Sequence, residues 1–167
     1  EDFWEPVQRA FDLDRTWMVA DASGRMVTQR QQPRLALIRT TLRSSDLVLR
    51  APGMLALHLQ LDAVDTPARA QVWDDEVQAY EMGALAHHWI SDFLGVSGLR
   101  LLRFDPEQRR LSNPKWTGDV QAENAFADGF PLLVASTASL DELNRRLVQA
   151  GDAPVTMQRF RPNLVLD

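Results

Sequence analysis

The 167-residue chain contains no cysteine, which removes disulfides, thiolate nucleophiles, zinc–thiolate sites and iron–sulfur clusters from this stretch of polypeptide. It also lacks any apolar run long enough to span a bilayer. Its first residues, with Glu1, Asp2 and Glu5, are acidic where a secretory signal would be basic. Long blocks of like charge are missing too: the 18 lysines and arginines are spread along the chain and the net charge is −5. The electrostatic footprint of a nucleic-acid binder is therefore absent, and any anion site must be local. These absences predict a soluble, cytoplasmic protein with no nucleic-acid or membrane partner.

What is present is the composition of a folded protein. Apolar residues make up 45% and charged residues 25%, which argues against disorder. A chain of this size removes about 70% of its unfolded surface from water on folding, so one substantial domain or two small ones can form.

The stretch from Leu13 to Leu37 reads as a β-hairpin. Thr16–Val19 is rich in strand formers, Asp21-Ala22-Ser23-Gly24 carries turn residues and Met26-Val27-Thr28 resumes the apolar run. A hairpin brings its outer ends together, so Arg15 and Arg30, with Arg34 beyond, could gather guanidinium forks suited to a phosphate or carboxylate. The competing reading is ordinary solvated or salt-bridged arginines.

A strand is expected over Arg34–Leu42 and another over Leu47–Arg50. The clearest period-two pattern follows, with Leu55, Leu57, Leu59 and Leu61 on one face and His58 outward. Ala70–Trp73 and Val77–Tyr80 form a second hairpin across Asp74-Asp75-Glu76, a solvated turn rather than a cation site because hard cations want six or more oxygens. From Met82 the period becomes helical. Leu85, Ala86, Trp89, Ile90, Phe93 and Leu94 make one stripe, with Gly95 as the left-handed terminator. His87 and His88 diverge by about 100° on that helix and carry no shared metal chemistry.

After a strand at Leu99–Phe104 comes a long polar segment, Asp105–Asn124, read as a domain boundary. Beyond it Phe130–Ala135 has the composition of a strand buried on both faces. Ser139-Leu140-Asp141-Glu142 reads as a capping box for a helix over Leu140–Gln149, burying Leu140, Leu143 and Leu147. The chain closes on a strand at Asn163–Leu166. An uncovered edge at each end is what an excerpt of a longer polypeptide would show.

Leu13-Asp14-Arg15-Thr16-Trp17-Met18-Val19, Thr28-Gln29-Arg30-Gln31-Gln32-Pro33-Arg34-Leu35, Ala127-Asp128-Gly129-Phe130-Pro131-Leu132-Leu133, Ala138-Ser139-Leu140-Asp141-Glu142-Leu143-Asn144 and Arg159-Phe160-Arg161-Pro162-Asn163-Leu164-Val165 resemble successive motifs of the MOSC family with its N-terminal β-barrel domain. The resemblance covers nearly the whole chain, collinearly. It implies a mainly β (α+β) fold: an N-terminal β-barrel-like domain over residues 1–110 with one packed helix, a linker over 111–126, and the incomplete beginning of a β-rich MOSC domain over 127–167.

The resemblance further implies the N-terminal part of a molybdenum-cofactor (molybdopterin) oxidoreductase acting on N-hydroxylated compounds, with an electron-transfer protein or domain as partner. Matched to the family's motifs, Arg15, Arg161 and Asn163 bind the pterin, and Gly129 and Phe130 line its site by position. A pterin's terminal phosphate suits arginine and its ring edge suits an asparagine. The competing roles are a salt bridge for Arg161 and a turn before the last strand for Asn163. Two departures matter. The family's opening Tyr-Pro-(Val/Ile)-Lys-Ser motif is absent, Glu5-Pro6-Val7-Gln8 lying too close to Asp14-Arg15 to replace it, and no cysteine is present to ligate molybdenum. No catalytic or metal-ligating residue is therefore assigned, and the cofactor is expected in the full-length protein rather than on this chain alone. Two rival readings are a module that carries or delivers cofactor or sulfur, and a β-barrel interaction domain.

Overall fold

The structure, a computed structural model, describes residues 13–63 and 66–167; the Glu5-Pro6-Val7-Gln8 stretch lies outside them. The chain divides into two compact units, one through Asp128 and one spanning Gly129–Asp167.

The first unit is built on two antiparallel sheets. One runs in the order β1 (Trp17–Ala20), β7 (Arg100–Phe104), β6 (Asp75–Glu81), β5 (Pro67–Val72); the other joins β2 (Arg39–Leu42), β3 (Asp46–Arg50) and β4 (Leu57–Gln60). The two-residue period of a strand sends neighbours to opposite faces, and β7 shows it. Leu101 joins a core with Leu47, Leu49, Leu57, Leu59 and helix α1 (Ala84–Leu94), whereas Leu102 and Phe104 join Met18, Val72, Val77 and Phe126 in a second core. The mainly β expectation, with one helix packed on the sheets, is what the chain adopts.

Several local expectations give way to identifiable physics. Arg34–Leu42 is not one strand. Pro33, with its fixed φ and no N–H, opens a 3-10 helix over Pro33–Leu37 before β2 begins. Leu55 is 89% exposed instead of inward; its carbonyl accepts the Trp89 indole N–H at 2.7 Å, and the ladder starts only at Leu57. In α1 the buried stripe is Ala86, Trp89, Ile90, Phe93 and Leu94, the i, i+3, i+4, i+7, i+8 pattern of one helix face. Leu85, one position off that face, is 71% exposed. Gly95 takes the left-handed cap with φ 69°.

The expected hairpin at Asp21–Gly24 is short. Beyond the Ala20–Met26 bridge and Val27 N–H donating to the Val19 carbonyl, the return arm leaves, and β1 pairs along its length with β7 instead. The polar segment after β7 folds back on itself. Ser112 N–H donates to Ala122 O and Asn124 N–H to Arg110 O, around a short helix α2 (Pro114–Thr117).

In the second unit β8 (Val134–Ser136) and β9 (Leu164–Leu166) pair in parallel, with helix α3 (Thr137–Gln149) between them in sequence. The strand expected over Phe130–Ala135, buried on both faces, is shorter and starts later, and Phe130, Leu132, Leu133 and Val134 are exposed. The α3 cap is Ser136 rather than Ser139: its Oγ accepts the Ser139 N–H at 3.1 Å. Thr137 and Ala138 already belong to the helix, because β8 feeds α3 with no loop between.

Candidate functional site

Arg15 sits at the head of β1 in the first unit. The turn Leu13–Thr16, closed by Thr16 N–H donating to Leu13 O at 3.3 Å, holds it at φ 53°, and its guanidinium is paired with Asp14. Left-handed backbone at a non-glycine residue costs of order 1–3 kcal/mol and persists only where the surroundings over-determine it. Among the described residues such backbone occurs at Arg15, Trp73 and Arg161. Two of these three are the motif arginines.

Two buried donors lie across the β1–β7 pairing. Trp17 and Arg103 are register partners across β1 and β7, and both the Trp17 Nε1–H and the Arg103 Nε–H are buried with no acceptor among the described residues. Buried donors without acceptors are costly and rare in folded proteins.

The Arg15 carbonyl accepts the Phe126 N–H at 2.9 Å. Phe126 is buried edge-on against Phe104, ring centroids 5.4 Å apart. This places the 125–128 loop against Arg15 within the first unit. The loop is held by Arg110, a residue that sequence reasoning passed over. Its guanidinium donates to Asp75 Oδ2 through Nε at 2.9 Å and Nη2 at 2.7 Å, and through Nη1 to the carbonyls of Ala125 at 2.9 Å and Ala127 at 2.6 Å. In the acidic triplet at the β5–β6 turn, Asp75 holds Arg110 and Glu76 pairs with Arg69 at 3.1 Å, so two of its carboxylates have arginine partners. No cluster of three or more metal-ligating side chains occurs among the described residues. Arg34 is occupied elsewhere, its guanidinium 4.5 Å from the centre of the Phe93 ring.

In the second unit the residues just before the two parallel strands, Leu133 and Asn163, meet at one end of the pair. Asn163 closes that end: its Oδ1 accepts the Leu133 N–H at 2.9 Å while its own N–H donates to Leu133 O at 2.8 Å. Its acceptor thus serves the opening of β8 and β9, the turn role weighed against cofactor binding. Arg161, exposed with φ 53°, precedes it by two residues. Gly129 and Phe130 begin this unit; a Cβ placed on Gly129 would meet nothing within 4 Å, and Phe130 is half exposed. The open backbone and the exposed ring could flank a planar ligand.

Comparison with known proteins adds independent findings. The family model described as MOSC N-terminal beta barrel domain matches residues 7–97, and the MOSC domain matches residues 121–167. The chain is 36% identical over 157 residues to mitochondrial amidoxime-reducing component 1 of Mus musculus, covering 92% of this chain and 45% of that protein. It is 34% identical over 157 residues to mitochondrial amidoxime reducing component 2 of Bos taurus, covering 92% and 46%. The chain thus spans about half the length of the curated relatives it matches. Among solved structures, the solution structure of a protein from Bordetella bronchiseptica, a structural genomics target, aligns with a TM-score of 0.54 and 33% identity. That alignment covers 64% of this chain and 84% of the other.

Proposed function

Because the chain belongs to the MOSC family, through its N-terminal beta barrel domain and the MOSC-domain sequence that follows, we propose that it is the N-terminal part of a molybdenum-cofactor oxidoreductase. Its substrates are N-hydroxylated compounds, its location is the cytoplasm, and a separate electron-transfer protein or domain supplies the reducing equivalents. The relatives named as amidoxime-reducing components support the substrate class.

The observation that carries the reading is the backbone of Arg15 and Arg161. Strain at non-glycine residues gathers at functional sites, and the motif arginines account for two of the three left-handed non-glycine residues described. The chemistry of these residues fits a pterin with a terminal phosphate. Guanidinium forks bind phosphate oxygens in pairs, and the Trp17 and Arg103 N–H groups of β1 and β7 are buried donors with no acceptor among the described residues. Asn163, whose oxygen holds Leu133, would offer the donor half of its amide to a ring edge. Gly129 and Phe130 would flank the ring. When bound, the cofactor supplies the redox chemistry at its metal; the residues of this chain bind and orient it. No thiolate for the metal comes from these residues, since the chain has no cysteine.

The test uses the full-length protein. Arg15→Ala and Arg161→Ala should each weaken cofactor retention by about 1.5–3 kcal/mol, the value of a charged hydrogen bond, and leave the melting temperature of the apo-protein nearly unchanged. Lysine should rescue partly, keeping charge and losing the fork. Variants that melt lower yet keep full pterin content would sink the reading.

A further inference from the structure

We infer that Arg110 is a positioning residue: its guanidinium sets the path of the 125–128 loop, and through Phe126 that loop holds Arg15 in the left-handed backbone that presents its side chain. The inference rests on the cofactor role of Arg15 proposed above.

Arg110 is only 9% exposed, and a buried arginine is tolerated only where its charge and its donors are satisfied. Asp75 supplies the charge. Asp75 alone would not need the rest of the arrangement. Nη1 is aimed at the carbonyls of Ala125 and Ala127, Nη2 reaches toward the Asp128 carbonyl at 3.5 Å, and the Arg110 carbonyl itself accepts the Asn124 N–H at 2.7 Å. One residue therefore contacts the backbone from 124 to 128 from inside its curve. With the carbonyls on either side of Phe126 turned toward Arg110, the Phe126 N–H is left to donate to the Arg15 carbonyl. The far side of the loop is pinned as well. Trp73, in left-handed backbone at the β5–β6 turn, donates its indole N–H to Asp128 Oδ1 at 3.0 Å.

The path runs by hydrogen bonds from Asp75 to Arg110 and on to the Ala125 carbonyl, crosses the 125–126 peptide, and ends in the bond from Phe126 N–H to the Arg15 carbonyl. Without the guanidinium, the Ala125 and Ala127 carbonyls lose their donor, the loop relaxes, and the bond that helps over-determine Arg15 goes with it. Lysine cannot substitute. It can reach Asp75 or one carbonyl, but it lacks the planar fork that reaches both at once.

A double-mutant cycle in the full-length protein tests this, with pterin content after dilution as the readout. Arg110→Lys should speed cofactor loss about tenfold, the scale of one charged hydrogen bond, while the folded fraction is retained. In an Arg15→Ala background the same substitution should add nothing, because both act through one residue. In the apo-protein, the Phe126 amide should exchange faster in Arg110→Lys than in the parent. Additive losses, or normal retention in folded Arg110→Lys, would overturn the inference. If Arg110→Lys does not fold, Asp75→Asn run through the same cycle decides the matter, and a retention loss that persists in the Arg15→Ala background counts against the inference. Normal retention in Arg15→Ala itself would instead remove the cofactor reading, and the Phe126 exchange rate would still decide whether Arg110 sets the loop.

Discussion

Helix α1, with 11 residues, buries Ala86, Trp89, Ile90, Phe93 and Leu94, whereas α3, with 13, buries none of its own. The two compact units hold their shape by different means. In the first, two apolar cores lie on opposite faces of the four-stranded sheet. The second is held by polar side chains, acting on backbone at Asn144 and Asn163 and on one another at Glu142. The Asn144 side chain grips the N–H and C=O of Val155 at 2.7 and 2.9 Å, Asn163 grips Leu133 through its side-chain oxygen and its own backbone N–H, and Glu142 takes Arg145 and Arg146. Such bonds fix geometry but contribute only about 1 kcal/mol each; burial supplies most folding energy. Phe130, Leu132, Leu133 and Leu164–Leu166 of the second unit are exposed, so they add little burial energy.

The sharpest break between the units should come from truncating a side chain in each helix. Phe93 is fully buried and also carries Arg34 over its ring, so Phe93→Ala should cost about 3–5 kcal/mol in denaturant unfolding. The equivalent stripe residue of α3, half-buried Leu143, should cost about 1 kcal/mol or less as Leu143→Ala. Equal costs would mean that the second unit has a core of its own. Amide exchange offers a parallel check, since α3 should exchange by local opening well before α1 and β4.

Next in size is Gly24→Ala. Gly24 has φ 90°, and an added Cβ would lie 2.6 Å from the Arg69 carbonyl oxygen. That oxygen is backbone and cannot swing away, so strain and overlap together should cost about 2–4 kcal/mol. Glycine at 151 has a similar φ of 87° but nothing within 4 Å of such a Cβ. Gly151→Ala should cost only the conformational part, about 1 kcal/mol. A thermal melt of both variants separates crowding from φ.

The first unit is the more legible in sequence, and for the same reason that it should be the more stable: its apolar residues are buried. Where apolar residues repeat with a strand or helix period and are then buried, as at Leu57–Leu61 and Ala86–Leu94, pattern and structure agree. Leu55 and Leu85 depart from their expected faces because a period marks a face without marking where the element begins. In the second unit the apolar run Phe130–Ala135 reads as buried on both faces, yet most of its side chains are exposed among the described residues. Of the candidate site, Arg15, Gly129, Phe130, Arg161 and Asn163 could be named from motifs. Arg110 could not, for its role depends on three carbonyls brought to it by the fold, and carbonyls leave no trace in side-chain sequence. Only the pairing of a basic residue with a loop before a Gly-Phe-Pro motif could have hinted at it.

Smaller still is the α3 cap. Ser136→Ala removes the acceptor for Ser139 N–H and should cost about 1 kcal/mol of the second unit's stability. Ser139→Ala, which loses only the 2.9 Å hydroxyl contact to Ser136, should cost a few tenths of a kcal/mol. Fraying of the first α3 turn, read by amide exchange, distinguishes the two. The reverse order would restore Ser139 as the cap.

The smallest effect is a pH dependence that treats the two units alike. Asp21 at the first turn is held below its ordinary 3.8, chiefly by the Ser23 hydroxyl, which outweighs an opposing desolvation, and then by the N–H groups of Arg25 and Ser23. Glu142 on α3 is held below 4.5 by Arg145 first and Arg146 second. A depressed carboxylate contributes stability above its unfolded value and loses it as pH falls through the folded one. Acidification below about pH 4 should therefore loosen both sites. The Asp21 contribution, screened by solvent, should be about 0.2–0.5 kcal/mol, and Asp21→Asn should flatten that part of the stability profile while lowering the plateau at neutral pH. Salt supplies the contrast. Glu142 owes its shift to ion pairing, so added salt should shrink its contribution. Asp21 owes most of its shift to hydrogen bonds from a neutral hydroxyl and backbone N–H groups, so salt should leave it nearly intact. Carboxyl titration followed by NMR at low and high ionic strength reads both groups at once, and equal salt sensitivity would show that the Asp21 turn is governed by Arg25 rather than by Ser23.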